Sequence, residues 1–461
     1  MNDLVVSMVV LALMASVGFA AIQRLPAKER TLPFVSLGVH LLTAPLLLAV
    51  MDYIWVASDV HYYFETGKTL TRLMRADFAR WAPEVVKFTL QMPNDLAVLF
   101  PEDFSGAYST SSMLGVAGLL MFVFNDARYA SFIAVAGVAF LGKLASYQGV
   151  RIALPAMEPR RVAIAMLLIP SVIFWSSGVV KESFAVTGLG ILMLWIARAT
   201  SRSLVTSPHL LVLGALPVYL FKPYLLFPFT LAAGAWIALT RLKSSNAAVK
   251  PVYLLGASAA VVGLVAALSV AFPEFSPAKL GESTSQMQQY GAEAGGGSAY
   301  TLGNAQTQSL SGQLAFAPIA LVTVLVRPFV FEVRNFSMLI ASGEATLMLV
   351  LLIQLFRKNS LREVFRAVLR SPPLAFCMVF TLIAGMAIGL ATSNFGTLSR
   401  YRIPMMPYYA MLVLVLTDKR VGVAANKALA EMEAAALAAE AAARKRRRAR
   451  AAMSENAESS P

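Results

Sequence analysis

Residues 4–22 read LVVSMVVLALMASVGFAAI and residues 33–56 read PFVSLGVHLLTAPLLLAVMDYIWV, with Arg24, Lys28 and Arg30 in the short link between them. A run of about 20 apolar residues matches the hydrocarbon thickness of a bilayer as a helix. The first run has Asp3 ahead of it instead of a basic segment, and bases behind it instead of a small-residue cleavage site. It therefore predicts a retained span and not a removed signal. The positive-inside rule puts the Arg24–Arg30 link in the cytoplasm, so the second run exits outward near Asp59.

The same pattern repeats along the chain. Apolar runs recur near residues 113–124, 129–145, 162–178, 183–199, 210–220, 224–240, 252–272, 316–331, 338–356, 374–391 and 403–416. Basic clusters at Arg151, Arg160 and Arg161, at Arg198 and Arg202, at Arg241 and Lys243, and from Arg357 to Arg370 mark cytoplasmic sides. These runs cannot all alternate if each one crosses. One within 113–145 and one within 316–356 are expected to be re-entrant, interfacial or fused with a neighbour. The expectation is an all-α polytopic integral membrane protein of about 11–13 transmembrane helices.

Composition agrees. The chain is 58% hydrophobic and only 14% charged, where a soluble domain carries about a quarter of its residues as charges. That excludes an ordinary soluble enzyme, and the hydrophobicity excludes disorder. One cysteine, Cys377, excludes a disulfide scaffold, and three scattered histidines, His40, His61 and His209, argue against a multi-histidine metal site. No metal-ligand or cofactor motif is present in the sequence. The net charge of +14 includes +4 from residues 419–461, and most of the rest lies in short links between runs. Basic charge here reads as topology, not as nucleic-acid binding.

Two organisational units follow. Residues 1–418 form the polytopic domain, with outer loops at 57–110 and 273–313; residues 419–461 form a cytoplasmic, Ala-rich, helical tail. The tail ends in Arg444, Lys445, Arg446, Arg447, Arg448 and Arg450, a cluster suited to anionic lipid headgroups. In the first loop, Leu70, Leu73, Met74, Phe78, Trp81 and Val85 recur at helical spacing with charges on other faces. This predicts an amphipathic helix, either lying in the membrane interface or capping the bundle. The second loop, rich in Gln and Gly, reads as a mobile segment, either a lid over substrate or a plain connection.

Chemistry in such a chain is sought among ionisable residues at membrane boundaries, where a charge is costly. Asp59, in Ser58-Asp-Val-His61-Tyr62-Tyr63, stands just outside the second run. It serves either as a general base toward a hydroxyl or as a helix cap beside an aromatic belt. His61 and Tyr62 are candidate substrate contacts. Lys181 and Glu182, in Trp175-Ser-Ser-Gly-Val-Val-Lys181-Glu182, occupy a very short connection on the same side, as site residues or as a solvated turn. Arg400 and Arg402, in Ser399-Arg-Tyr-Arg402-Ile-Pro404, fall outside against the positive-inside bias, either as forks suited to phosphate or as aromatic and backbone anchors at the interface. Arg327 and Lys222, each before a proline, are lesser candidates, as cations near a cavity or as snorkelling bases. Lys143 and Glu344 are the main mid-span charges, too few for a coupling path.

The pattern resembles the GT-C superfamily of membrane glycosyltransferases that use polyprenyl-phosphate sugars. The likeness lies in an acid on the first large outer loop (Asp59) followed by an interfacial helix, a second acid heading a later span (Glu182), and the Ser399–Pro407 segment. It differs in one added span before the acid-bearing loop and in Glu at the second acid. The resemblance implies inverting glycosyl transfer at the outer face of the cytoplasmic membrane of a bacterium, in cell-surface polysaccharide or glycolipid assembly. Asp59 and Glu182 would be catalytic. Arg400, Arg402 and Lys181 would stabilise the departing lipid phosphate, and no metal or other cofactor is demanded. The partner implied is a polyprenyl-linked sugar or oligosaccharide. A looser likeness is to polysaccharide repeat-unit polymerases acting on lipid-diphosphate oligosaccharides, and a flippase or transporter is the third class.

Overall fold

In hydrocarbon no water takes up backbone N–H and C=O groups, so each apolar run satisfies them internally as a helix. The computed structural model bears this out: the described residues are almost wholly helical, and the chain is an all-α, multi-pass membrane protein. The structure describes residues 2–55, 58–96, 108–201, 207–244, 259, 263, 266, 270, 279–293, 298–300, 302, 310–334 and 336–417. The run expected at 252–272 and the basic tail at 419–461 therefore lie largely or wholly outside the described residues.

Seven described helices are long and apolar enough to cross a membrane: Asp3–Gln23, Thr31–Tyr53, Arg128–Ala153, Lys181–Ser201, Pro223–Leu242, Met338–Lys358 and Pro372–Ala391. Four more are apolar but shorter, Ser109–Val123, Pro208–Phe221, Ala317–Val326 and Met406–Leu416. At 1.5 Å per residue these reach roughly 15–22 Å, short of the ~30 Å core. In neither region are the two neighbouring runs fused into one helix. The first breaks at Asn125 and Asp126, which carry positive φ of 52° and 67°; Asn and Asp tolerate that conformation better than other side chains. The second breaks between Val326 and Phe336.

The N-terminal half is organised as follows: α1 (Asn2–Gln23), α2 (Thr31–Tyr53), α3 (Asp59–Ala76), α4 (Phe78–Thr89), α5 (Tyr108–Val123) and α6 (Arg128–Ala153). Two ion pairs fix how α2 and α6 run. Arg128 clamps Asp52 through both nitrogens, at 2.7 and 3.2 Å. At the opposite end Arg151 and Tyr147 close on Glu29 in the α1–α2 link, at 3.0 and 2.6 Å. The two ends of the bundle are called the Asp59 end and the Glu29 end below.

The amphipathic stretch expected over 70–85 is two helices. Asp77 ends α3 and caps α4, its carboxylate accepting from the amide of Arg80 at 3.1 Å. Most of its apolar face lies on protein: Leu70, Met74 and Val85 are fully buried while Phe78 stays exposed, and Thr71 donates to the carbonyl of Gly118 on α5 at 3.0 Å.

Next come α7 (Pro159–Leu167) and α8 (Pro170–Trp175), two halves of a helix broken before Pro170. Proline cannot continue the ladder, so groups at the break need other partners. The carbonyl of Leu167 accepts from Ser36 Oγ at 2.9 Å and Lys143 Nζ at 3.0 Å. The amide and hydroxyl of Ser171 donate to Glu344 at 3.0 and 2.6 Å. Each mid-span charge thus faces the helix end of opposite dipole sign.

The site is framed by α9 (Lys181–Ser201), α10 (Pro208–Phe221) and α11 (Leu226–Ser244). Small residues let α6 and α9 touch backbone to backbone: a Cβ on Gly190 would fall 2.0 Å from the carbonyl oxygen of Gly142. This is the close packing by which membrane helices associate without a hydrophobic driving force.

The remaining elements are α12 (Leu280–Glu293), α13 (Leu310–Leu314), α14 (Ala317–Val326), α15 (Phe336–Lys358), α16 (Leu361–Arg370), α17 (Pro372–Ala391), α18 (Phe395–Tyr401) and α19 (Met406–Leu416). The described part of the Gln-rich loop holds a helix, α12, and packs on the end of α17. Gln288 is buried and donates to the carbonyl of Leu390 at the end of α17, and Ser393 donates to the carbonyl of Gln288. Further on, Ser298–Tyr300 pairs with Ser393–Phe395 through two backbone bonds of 2.8 and 3.0 Å. The glutamine that composition placed in water instead satisfies a helix terminus, whose last carbonyls have no intrahelical partner.

Candidate functional site

Three connections meet at the Asp59 end. Asp59 opens α3, with Ser58 and not Asp59 in the capping position. Glu182 lies in the first turn of α9, where the helix dipole favours an acid. Arg400 rides on α18, a short helix started by Asn394, whose side chain accepts from the amides of Gly396 and Thr397.

Arg400 joins the two acids. Its Nη1 donates to Asp59 Oδ2 at 3.0 Å, and its Nε lies 3.0 Å from Glu182 Oε1. The same Glu182 oxygen receives Lys222 Nζ at 2.9 Å. Glu182 and Lys222 are buried, whereas the Asp59 side chain is 56% exposed, so the cluster runs from an open rim to a closed floor. The second oxygen of Glu182 is buried without a hydrogen-bond partner. Lys181 Nζ donates to Ser109 and Thr110 at the start of α5, at 3.0 and 3.1 Å, and its field reaches the rest of the cluster.

Aromatic rings wall these charges. The Arg400 guanidinium lies 5.5 Å from the Trp175 ring centre, and Trp175 stacks on Trp55 at 5.3 Å. Lys222 Nζ sits 4.5 Å from the Tyr401 ring and 5.8 Å from that of Tyr224. Such cation–π contacts gain strength when desolvated. Burial opposes the charge on Arg400, but Glu182 and Asp59 outweigh it and hold its pKa above the ordinary arginine value. Burial, reinforced by Asp59, raises the Tyr63 phenol, and burial also raises that of Tyr401, so both remain neutral hydroxyls.

Five candidates from the sequence, Asp59, Glu182, Lys181, Lys222 and Arg400, thus form one cluster holding one more cation than anion. The others do not join it. Arg402 is buried away from it, donating to the carbonyls of Val324 and Arg327. Arg327 pairs with Glu332 and lies over the rings of Tyr300 and Phe395 at 5.2 and 4.9 Å. His61 turns to Asp52, at 3.1 Å, and to Ser58. Tyr62 is a partly exposed neighbour of Tyr63. The two arginines expected as a pair separate because Arg402 follows the end of α18 and points toward α14.

Sequence reasoning did not single out Tyr63, Trp175, Tyr224, Tyr401, Ser109 or Thr110. Tyr401 and Tyr224 stand within two residues of Arg400 and Lys222, a signal that was legible, whereas Tyr63 and Trp175 meet the cluster only through the fold. The two hydroxyls carried none. Among the described residues, no group of three or more His, Cys, Asp and Glu gathers as a metal site would.

The class that fold and site define is a multi-pass α-helical membrane protein with a charged, aromatic-walled cluster at one end of its bundle. No family model, curated protein or solved structure matches the chain.

Proposed function

We propose that this chain is a membrane-embedded glycosyltransferase taking its sugar from a polyprenyl-phosphate donor. In this reading the Asp59 end faces outward across the cytoplasmic membrane of a bacterium, the C-terminus is cytoplasmic, and the product enters cell-surface polysaccharide or glycolipid. The observation that carries the reading is the meeting of Asp59 and Glu182 on one guanidinium, with Lys222 and Lys181 around it.

Asp59, exposed at the rim, takes the proton of the acceptor hydroxyl as its oxygen bonds to the anomeric carbon. The bond from that carbon to the phosphate oxygen breaks, and its electron pair leaves with the lipid phosphate. Cations preorganised against that developing charge supply the electrostatic stabilisation. Glu182, closed off and held by two cations, positions Arg400 and Lys222 and does not carry the proton. A donor phosphate that draws on Arg400 loosens its bond to Asp59, so the base is released only when donor is bound.

The test is a deletion strain complemented with Asp59→Asn, its surface glycan and lipid-linked intermediates read by mass spectrometry. Loss of a complete glycan with intact donor accumulating supports the proposal. Full-length glycan from Asp59→Asn overturns it. Single unpolymerised repeats on lipid diphosphate would instead favour a repeat-unit polymerase.

A further inference from the structure

Between α15 and α17, both long and apolar enough to span, the chain makes α16, Leu361–Arg370, with the sequence LREVFRAVLR. Only Asn359 and Ser360 join it to α15, and only Ser371 joins it to α17. It lies at the Glu29 end. Asn359 donates to the carbonyl of Leu416 at 3.0 Å, and Arg161, at the start of α7, donates to that of Leu414 at 2.9 Å. Arg151, which holds Glu29, reaches the carbonyl of Met157 just ahead of α7 at 2.7 Å. A helix about 15 Å long, tied this closely to the ends of two spanning helices, stays at the bilayer surface.

Residues four apart share a stripe of a helix. Val364 and Val368 are buried where α16 packs on the bundle beside α17. Leu361, Phe365 and Leu369 form the next stripe and are left 73%, 63% and 42% exposed. Arg362, Arg366 and Arg370 form the third, also exposed. Ser360 caps the helix, and Glu363 accepts from its amide and hydroxyl at 2.7 and 3.0 Å, so the one acid of α16 is engaged at the cap. Among the described residues no ion pair holds Arg362 or Arg366. From Arg357 to Arg370 the chain carries five bases against that single acid.

The charge decides what covers the open apolar stripe. A second copy would bring the same arginines, and residues 419–461, at +4, are of the same sign. Anionic phospholipid matches both stripes, with acyl chains for Leu361, Phe365 and Leu369 and phosphates for the arginines beside them. We infer that α16 is an interfacial helix that binds anionic phospholipid in the leaflet at the Glu29 end, through its Leu–Phe–Leu stripe and the guanidinium groups of Arg362 and Arg366. This rests on the multi-pass fold alone, and its test reads lipid contact, so it stands or falls apart from the proposed activity.

The experiment places a bimane label on the full-length Phe365→Cys protein. Cys377, the chain's one cysteine, is buried, and unlabelled wild type is the control for selective reaction. The protein is reconstituted in vesicles of equal parts phosphatidylcholine and phosphatidylglycerol, with bromine on the acyl chains of one lipid or the other. Both brominated lipids should quench the label, and phosphatidylglycerol should do so at least about fivefold more effectively, the factor that one base near an anionic surface is worth. With Arg362→Gln and Arg366→Gln added, the two lipids should quench nearly alike, which also shows α16 still inserted. Quenching by aqueous iodide alone would mean a solvated stripe, and shielding from both lipid and iodide would mean a protein cover; either overturns the inference. Equal quenching by the two lipids in the arginine-bearing protein, or a preference unchanged by the two glutamines, would overturn it as well.

Discussion

Arg400 and Asp59 form an ion pair 3.0 Å long across 341 positions of sequence. The pair lies at the rim, with Asp59 more than half exposed, so its worth to the fold is small, about 0.2–1 kcal/mol. Its worth to activity is expected to be large. Asp59→Asn should leave the melting midpoint nearly unchanged while lowering transfer by about 10²–10⁴, the usual contribution of a general base. Parallel melting curves and glycan assays check this; a variant that loses both together would show the carboxylate to be structural.

Glu182 should behave in the opposite way. It is 1% exposed and holds two cations. Removing one partner of a buried pair costs about 3–5 kcal/mol because the other is left uncompensated. Glu182→Leu should therefore melt well below wild type. Adding Lys222→Met should recover part of the loss, since Arg400 keeps Asp59. A double variant no more stable than Glu182→Leu would remove Lys222 from the pairing.

The α6–α9 crossing gives a steric prediction. A Cβ on Gly190 would overlap the carbonyl of Gly142 at 2.0 Å, and one on Gly142 would lie 2.4 Å from the Cα of Thr187. Gly190→Val forces the helices apart, and overpacking of this kind typically costs about 1–3 kcal/mol or more. Since Lys181 and Glu182 ride on α9, activity should fall with stability. Gly234, with open space at its Cβ, is the control, and Gly234→Ala should melt as wild type.

A pH effect belongs to Glu29. Burial alone would raise its pKa, but the hydrogen bonds from Arg151 and Tyr147 and the Arg151 charge bring it below the usual glutamate value. A depressed carboxyl stabilises the fold above its unfolded pKa, near 4.3, and that stability is lost as pH falls through the lower folded value. The wild-type midpoint should drop on acidification below about pH 5. Glu29→Gln should start lower at neutral pH and show a shallower acid decline. Equal acid slopes for the two proteins would exclude Glu29 as the source.

The membrane class was legible in runs such as residues 4–22, because a bilayer demands length and apolarity and little else. The cluster was partly legible: Asp59, Glu182 and Arg400 each violate the economy of charge near hydrocarbon, and any charge placed there needs a partner. What the residues could not announce is direction. Arg400 and Arg402 are near neighbours in the chain, yet the end of α18 turns one to Asp59 and the other to the carbonyls of α14. The same holds for Lys143 and Glu344, which serve a broken helix that a single proline hardly betrays. Gln288 misled for another reason, since polar composition does not distinguish a solvated amide from one that closes a helix end.

The buried acid also sets an order of construction. A chain made from its N-terminus delivers Glu182 first of the three, then Lys222, and Arg400 last. Until then the carboxylate has one of its two cations at best. The rim pair with Asp59 cannot form until nearly all the other helices are in place. A nascent chain stalled before residue 400 would hold all seven long apolar helices while its charged centre stayed open.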